Sequence, residues 1–221
     1  MITSVLFDLD GTIIDSAQII SEVLNRLRRD QGKPELSLSD FRMLVSLGPQ
    51  ALVATALDLD LGDHPLAVKN FRTLYANVET PRSCLNEGAV ETFVKLHSFG
   101  ILMGLVSNKP EYLCWKVLKE LQILQWFDTV VGGDSVPEPK PSAEPLWYAL
   151  SNLDADLSNA VYIGDTSTDQ IASESAGIRF VYYNSKYDDT VKEDTTWANI
   201  SKLDEIVTIV TQENDIHDND E

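Results

Sequence analysis

From about residue 82 onward, short apolar runs typical of buried strands alternate with amphipathic stretches typical of helices. The predicted strands of this region are 101–106, 129–131, 160–163 and 180–183, and the predicted helices are 111–121, 145–153, 167–176 and 201–210. An earlier apolar run, residues 5–7, predicts one more strand. Alternation of this kind with short connections builds a parallel sheet with helices on both faces, so we expect a doubly wound α/β fold.

Residues 15–81 break this alternation, because they contain no strand-like run. Ser16 is expected to cap a helix that runs to about residue 29. Three further helical segments follow it, at about 38–46, 49–58 and 64–78. We therefore predict an α-helical domain inserted after the first strand of the sheet.

The predicted domains follow from these patterns. Residues 1–14 and 82–212 form the catalytic core, and 15–81 form the helical insertion. The last stretch, 213–221, holds five acids and almost nothing apolar, so we expect a disordered acidic tail.

Composition limits the partners of this 221-residue chain. A formal net charge of −18 argues against binding to a nucleic acid backbone, which needs clustered lysine and arginine. The first residues lack the basic and apolar regions of a secretion signal, and no apolar run is long enough to span a membrane. Cys84 and Cys114 are expected to be reduced thiols. We expect a cytoplasmic monomer or homodimer with neither nucleic acid nor membrane as a partner.

The first predicted strand ends in two carboxylates, Asp8 and Asp10, and a turn at Gly11. In open α/β sheets, ligands bind beyond the carboxyl ends of the strands. Two acids at that place repel one another unless a cation or a shared proton offsets their charge. Taken alone, this segment also fits a plain Asp-Gly turn with solvated acids.

Two other segments place polar groups after a predicted strand or on a stiff loop. Ser107 and Asn108 lie just before a helix N-terminus, where backbone N–H groups favour an anion, although either residue alone also fits a helix cap. Lys140 lies between Pro139 and Pro141, which restrict the loop and would aim the ammonium at one place. A solvated surface lysine is the alternative interpretation.

The predicted strand 160–163 is followed by Gly164 and Asp165, with Asp169 four residues further on. A helix that begins near residue 167 places Asp165 just before its first turn and Asp169 within that turn. Together with Asp8, these acids make a cluster of hard oxygen ligands suited to Mg²⁺. The alternative is that they only cap the helix and complement its dipole.

These segments, taken in order, resemble the haloacid dehalogenase superfamily of aspartate-nucleophile phosphotransferases. The matching motifs are Asp8-Leu9-Asp10-Gly11-Thr12, Ser107, Lys140, and Gly164-Asp165 with Asp169. A Rossmann-like core with an α-helical cap inserted after the first motif is also a feature of that superfamily. The stretches 107–110 and 132–137 look most like its phosphoglycolate phosphatase subgroup.

The resemblance implies a Mg²⁺-dependent phosphatase acting on a small phosphorylated metabolite. Asp8 would attack phosphorus to form an aspartyl-phosphate, and Asp10 would protonate the leaving alcohol and then activate water. The implied phosphate ligands are Thr12, Ser107, Asn108 and Lys140. The implied Mg²⁺ ligands are Asp8, the Asp10 backbone carbonyl and Asp165, supported by Gly11, Gly164 and Asp169.

Arg42, flanked by apolar residues in the insertion, is the candidate for a substrate contact from the cap, with a surface arginine as the alternative. A sugar phosphate mutase of the β-phosphoglucomutase type would use the same aspartates and Mg²⁺. A dehalogenase would leave the second aspartate without a task. A non-catalytic binding protein on this fold is expected to have lost one of four residues, and all four are present: Asp8, Asp10, Lys140 and Asp165.

Overall fold

A computed structural model describes residues 1–45, 47–60, 62–185 and 190–218. The chain divides into two compact units. One unit comprises residues 1–14 and the chain from residue 85 onward, and the other comprises residues 15–84. Within the described residues, no helix is both long enough and apolar enough to cross a membrane.

The larger unit contains a parallel sheet of six strands in the described part of the chain. The strands are β1 (Ser4–Phe7), β2 (Leu102–Val106), β3 (Thr129–Val131), β4 (Ala160–Gly164), β5 (Arg179–Tyr183) and β6 (Ala198–Ile200). Their order across the sheet is β3-β2-β1-β4-β5-β6, and every neighbouring pair runs parallel. The predicted α/β fold with a parallel sheet is confirmed.

The helical unit is formed by four helices among its described residues. They are α1 (Ala17–Asp30), α2 (Leu38–Val45), α3 (Gly48–Ala56) and α4 (Pro65–Ala76). Residue 46, the expected end of the second helix, lies outside the described residues. The expected Ser16 cap is wrong. The Ser16 backbone has φ −70° and ψ −13°, whereas a capping residue is extended, and its side chain makes no capping hydrogen bond.

The helices of the larger unit cover both faces of the sheet. They are α5 (Ala89–Ser98), α6 (Glu111–Glu120), α7 (Glu144–Leu153), α8 (Ser167–Ala176) and α9 (Glu205–Asp218). Alternate residues of a strand point to opposite faces. Leu6 accordingly packs in a buried cluster with residues of α7 and α8, while the Phe7 ring lies 5.5 Å from Phe93 of α5. A parallel sheet buried on both faces accounts for the nearly continuous apolar runs of its strands.

The expected disordered tail is wrong for residues 213–218, because α9 continues through them. The Asn214 side chain accepts a hydrogen bond from the Ile2 backbone N–H and donates one to the Ile2 carbonyl, at 3.0 Å. Glu213 makes an ion pair with Arg179 at 2.8 Å. These polar contacts, to Arg179 of β5 and to Ile2 just before β1, stabilise the last turns of α9. The apolar pattern alone does not predict that the helix extends this far. Residues 219–221 lie outside the described residues.

Candidate active site

The register of the central strands brings three of the predicted motifs to one edge of the sheet. Phe7 lies opposite Leu105 on one side and opposite Ile163 on the other. Because all three strands run in the same direction, the residues that follow them come to the same edge. The structure thus gathers Asp8, the loop that begins at Ser107, and the turn that contains Asp165.

Lys140 lies at the centre of this edge. Its Nζ is 2.8 Å from Asp8 Oδ1 and 2.6 Å from Asp169 Oδ1, and its side chain is only 4% exposed. The ammonium also lies 2.8 Å from the Tyr162 hydroxyl. Burial alone would lower the pKa of Lys140, but Asp169 and Asp8 outweigh it and raise that pKa above its usual value. The structure therefore excludes the solvated surface lysine, and Lys140 remains charged.

Asp169 uses its two oxygens for different tasks. Oδ2 accepts hydrogen bonds from the Thr166 backbone N–H at 3.1 Å and from its hydroxyl at 2.6 Å, completing a capping box at the start of α8. Oδ1 accepts from Lys140 and, at 2.7 Å, from the Tyr162 hydroxyl. Burial alone would raise the pKa of Asp169, but Lys140 and these donors hold it below its usual value. The helix-capping role and the site role are thus both present in one side chain.

Asp165 is buried, and the hydrogen bonds given for its carboxylate within the described residues come from hydroxyl groups. Its Oδ1 accepts a hydrogen bond from the Thr12 hydroxyl at 3.2 Å, and its Oδ2 accepts one from the Ser185 hydroxyl at 2.9 Å. Burial, together with the charges of Asp169 and Asp8, raises the pKa of Asp165 well above its usual value. Thr12, a predicted phosphate ligand, is completely buried against this carboxylate and positions it in the present structure.

The cluster of acids fits a divalent cation. Within the described residues, Asp8, Asp165 and Asp169 each offer a carboxylate oxygen, and these atoms lie within 4.8 Å of one another. Burial raises the pKa of Asp8 to about 7, even though the Lys140 ammonium opposes the shift. Lys140 offsets one negative charge of the three carboxylates, and a hard divalent cation such as Mg²⁺ would offset the other two. Each Asp169 oxygen already accepts two hydrogen bonds, from Lys140 and Tyr162 on Oδ1 and from the Thr166 N–H and hydroxyl on Oδ2, so its lone pairs are used. Among the described residues, each Asp165 oxygen accepts one hydroxyl hydrogen bond, so Asp8 and Asp165 are the better-placed ligands.

Two glycines permit the close approach of these acids. A Cβ atom at Gly11, whose φ is +90°, would lie 2.1 Å from Asp165 Oδ2. A Cβ atom at Gly164 would lie 2.5 Å from the Asp169 Cβ and Cγ atoms. Any side chain at either position would push a carboxylate out of the cluster, which accounts for the supporting role expected of both glycines.

Ser107 and Asn108 do not cap α6, whose N-cap position is Pro110. The Ser107 hydroxyl accepts a hydrogen bond from the Lys109 backbone N–H at 3.3 Å. The exposed Asn108 side chain donates to the Lys140 carbonyl at 2.9 Å, which ties the two loops together. Their contact with a substrate phosphate stays a prediction.

Sequence reasoning missed two residues at this edge. Lys109 contacts Asp10, with Nζ 2.8 Å from Oδ1 and 2.8 Å from Oδ2. Tyr162 stands in an apolar strand that was interpreted as core, yet its hydroxyl contacts Lys140 and Asp169. A lysine directly after two predicted anion-binding residues was a usable signal for Lys109. The strand pattern held no such signal for Tyr162.

In the helical unit, Arg42 makes an ion pair with Asp15 at 2.6 Å, and its side chain is 37% exposed. This contact orients the guanidinium within its own unit. A contact between Arg42 and a substrate stays a prediction.

The central strand of this parallel sheet is followed by a pair of aspartates, and a buried lysine lies between carboxylates. This combination is that of an α/β hydrolytic enzyme with an aspartate site. The family model described as haloacid dehalogenase-like hydrolase matches residues 5–183. The chain belongs to this family.

Relatives of the chain carry a more particular name. It is 34% identical over 176 residues to a phosphoglycolate phosphatase of Xanthomonas campestris, covering 79% of this chain and 80% of that one. A crystal structure of a predicted phosphoglycolate phosphatase from Haemophilus somnus is similar at a TM-score of 0.80 with 23% identity, covering 94% and 97%. CbbY from Rhodobacter sphaeroides, in complex with xylulose-(1,5)bisphosphate, is similar at a TM-score of 0.73 with 21% identity, covering 93% and 96%. The two solved structures support the fold.

Proposed function

We propose that this phosphatase hydrolyses a small phosphorylated metabolite with Mg²⁺ through an aspartyl-phosphate on Asp8, and that phosphoglycolate is its first candidate substrate. The family match and the phosphoglycolate phosphatase relatives support a phosphoric monoester hydrolase. One observation carries the mechanistic part. The Asp8 carboxylate lies 2.8 Å from the Lys140 ammonium, and among the described residues it shares a buried cluster with the carboxylates of Asp165 and Asp169.

In the first half of the proposed reaction, an Asp8 oxygen bonds to phosphorus while the bond from phosphorus to the leaving oxygen breaks. Asp10 gives its proton to that oxygen, so the product leaves as an alcohol. In the second half, a water oxygen bonds to phosphorus while the bond between phosphorus and the Asp8 oxygen breaks, and Asp10 takes the water proton. Inorganic phosphate leaves and the Asp8 carboxylate is regenerated. Lys140 holds the nucleophile and, with Ser107 and Asn108, would contact the phosphoryl oxygens.

The donor set suits Mg²⁺ at Asp8, Asp165 and the Asp10 backbone carbonyl. When bound there, the ion would supply the positive charge that offsets the repulsion between a carboxylate nucleophile and a phosphate. Thr12 and Ser185 hold the Asp165 oxygens through hydroxyl hydrogen bonds. Asp169 is assigned to positioning Lys140.

Substitution of Asp165 tests the metal assignment. We expect wild-type activity to require Mg²⁺ and to be lost in excess chelator, and Asp165→Asn to raise the half-saturating Mg²⁺ concentration by about tenfold or more. Mg²⁺ should also raise the melting temperature of the wild type, because binding to the folded state stabilises it, and should have little effect on Asp165→Asn. Glu174→Gln, on α8 but outside the acid cluster, is the matched control and should behave like the wild type. An unchanged Mg²⁺ response of Asp165→Asn would contradict the assignment.

A screen of phosphomonoesters with Mg²⁺, scored by release of inorganic phosphate, tests the reaction class. Phosphoglycolate and sugar phosphates belong in the same screen. Conversion of a sugar 1-phosphate to its 6-phosphate without phosphate release would favour the mutase instead. The cytoplasmic location and the monomeric or homodimeric state stay predictions.

A further inference from the structure

Lys109 forms a partly buried ion pair next to the Lys140 cluster. Its Nζ lies 2.8 Å from each carboxylate oxygen of Asp10, so the ammonium bridges both atoms. The Lys109 side chain is 9% exposed and the Asp10 side chain 21%. By comparison, the side chains of Asp8 and Asp169 are 8% and 1% exposed. Asp10 is therefore more open to an incoming molecule than either acid paired with Lys140.

The Lys109 backbone is fixed on both sides. Its carbonyl accepts hydrogen bonds from the Gly133 N–H at 2.9 Å and from the Cys114 thiol at 3.5 Å. Its N–H donates to the Ser107 hydroxyl. The loop after β3 can approach this closely because residue 133 is glycine, where a Cβ atom would lie 2.4 Å from the Asn108 carbonyl oxygen. The lysine thus extends from a rigid base toward Asp10.

The backbone around Asp10 is equally fixed. The Leu9 carbonyl accepts hydrogen bonds from the N–H groups of Ile13 and Ile14, each at 3.0 Å, and Gly11 N–H donates to the Ile14 carbonyl at 2.8 Å. What remains free is rotation of the Asp10 side chain. The neighbouring Asp8 charge repels the Asp10 carboxylate, and the bridge to Lys109 opposes its rotation away.

We propose that Lys109 is a positioning residue that holds the Asp10 carboxyl group toward the leaving oxygen, bridging both oxygens of the ionised group and bonding one oxygen while the other carries the proton. This inference rests on the proposed function. Asp10 must reach the leaving oxygen to protonate it. A small displacement of a proton donor from that oxygen lowers the rate of the step it assists. A lysine that only stabilised the fold would affect all substrates equally. A lysine that positions the proton donor matters most for leaving groups that need protonation.

The test compares two esters of similar size whose leaving groups differ in basicity, phenyl phosphate and 4-nitrophenyl phosphate. For Lys109→Met we expect kcat/KM to fall about tenfold or more on phenyl phosphate and less than about threefold on 4-nitrophenyl phosphate. Lys109→Arg, which can also bridge both carboxylate oxygens, should recover part of the loss on phenyl phosphate and serves if the methionine variant does not fold. Lys116→Met, which removes a partly buried ion pair to Glu120 within α6, outside the site, should change neither value.

The outcomes separate the two claims. Phosphate release by the wild type from the esters and from phosphomonoesters of the screen supports the proposed function, and a wild type inactive on all of them overturns it together with the inference. If the wild type is active, an equal loss on the two esters, no loss, or a gain in the Lys109 variants overturns the positioning role alone.

Discussion

Replacement of Asp8 by asparagine should lower kcat on any phosphomonoester by about 10⁴-fold or more, because the amide cannot form the aspartyl-phosphate. The variant should still fold, since Lys140 keeps its ion pair with Asp169. Phosphate release measures the loss, and circular dichroism checks the fold. A variant that retains more than about a hundredth of wild-type turnover would contradict Asp8 as nucleophile.

The same variant has a predicted pH signature in chelator. The pKa of Asp8 is raised from 3.8 to about 7 in the folded protein, so folding disfavours its ionised form. A carboxyl group with a raised pKa contributes stability that is present at acid pH and is lost as the pH rises toward the folded value. Between pH values of about 4 and 7, the wild type should therefore lose stability relative to Asp8→Asn. If the free energies of unfolding of the two proteins change in parallel with pH across this interval, the pKa of Asp8 is not raised.

Replacement of Lys140 by methionine should have the largest effect on stability, about 3–5 kcal/mol, because it leaves buried carboxylates without their ammonium. Asp8 and Asp169 both lie within 2.8 Å of Lys140 Nζ and are almost fully buried. The methionine keeps most of the apolar stem, so the change reports on the charge. Urea unfolding in Mg²⁺-free buffer near neutral pH gives the free energy of unfolding.

The matched control is Lys116→Met, whose lysine makes a 2.7 Å ion pair with Glu120 one helical turn away, with side chains 17% and 28% exposed. Such pairs contribute about 0–1 kcal/mol, so this variant should stay close to the wild type. The double variant Lys140→Met/Asp169→Asn should recover part of the loss, because it removes one of the stranded charges. Equal destabilisation by the two lysine variants would mean that the Lys140 ammonium contributes no more to stability than the ion pair of Lys116.

The sequence predicted the central strands well because their apolar runs are interrupted only at their ends. It failed where a short element depends on its neighbours. Strand β6 has three residues and an exposed Asn199, so it carries no apolar pattern and forms by pairing with β5. The extension of α9 past residue 212 depends on side-chain contacts of Glu213 and Asn214 that periodicity does not contain.

The acids could be placed at one edge of the sheet because parallel strands end on the same side, and Lys140 was assigned to the site through the family resemblance. Which acid contacts Lys140 could not be predicted in the same way. Whether Asp169 caps its helix or contacts Lys140 depends on the direction of each oxygen, and the structure gives one oxygen to each task. The bridge from Lys109 to Asp10 likewise depends on a loop approach allowed by a glycine more than twenty residues away in the chain.

Capture of the phosphorylated protein tests the central claim most directly. Asp10→Asn keeps the nucleophile and removes the proton donor and base, so an activated donor such as acetyl phosphate should still phosphorylate it slowly with Mg²⁺. Its aspartyl-phosphate should then persist, because no base activates water. Intact-protein mass spectrometry should show one added phosphoryl group on Asp10→Asn and none on Asp8→Asn. A phosphoryl group on Asp8→Asn, with none on Asp10→Asn, would contradict the assignment of the two aspartates.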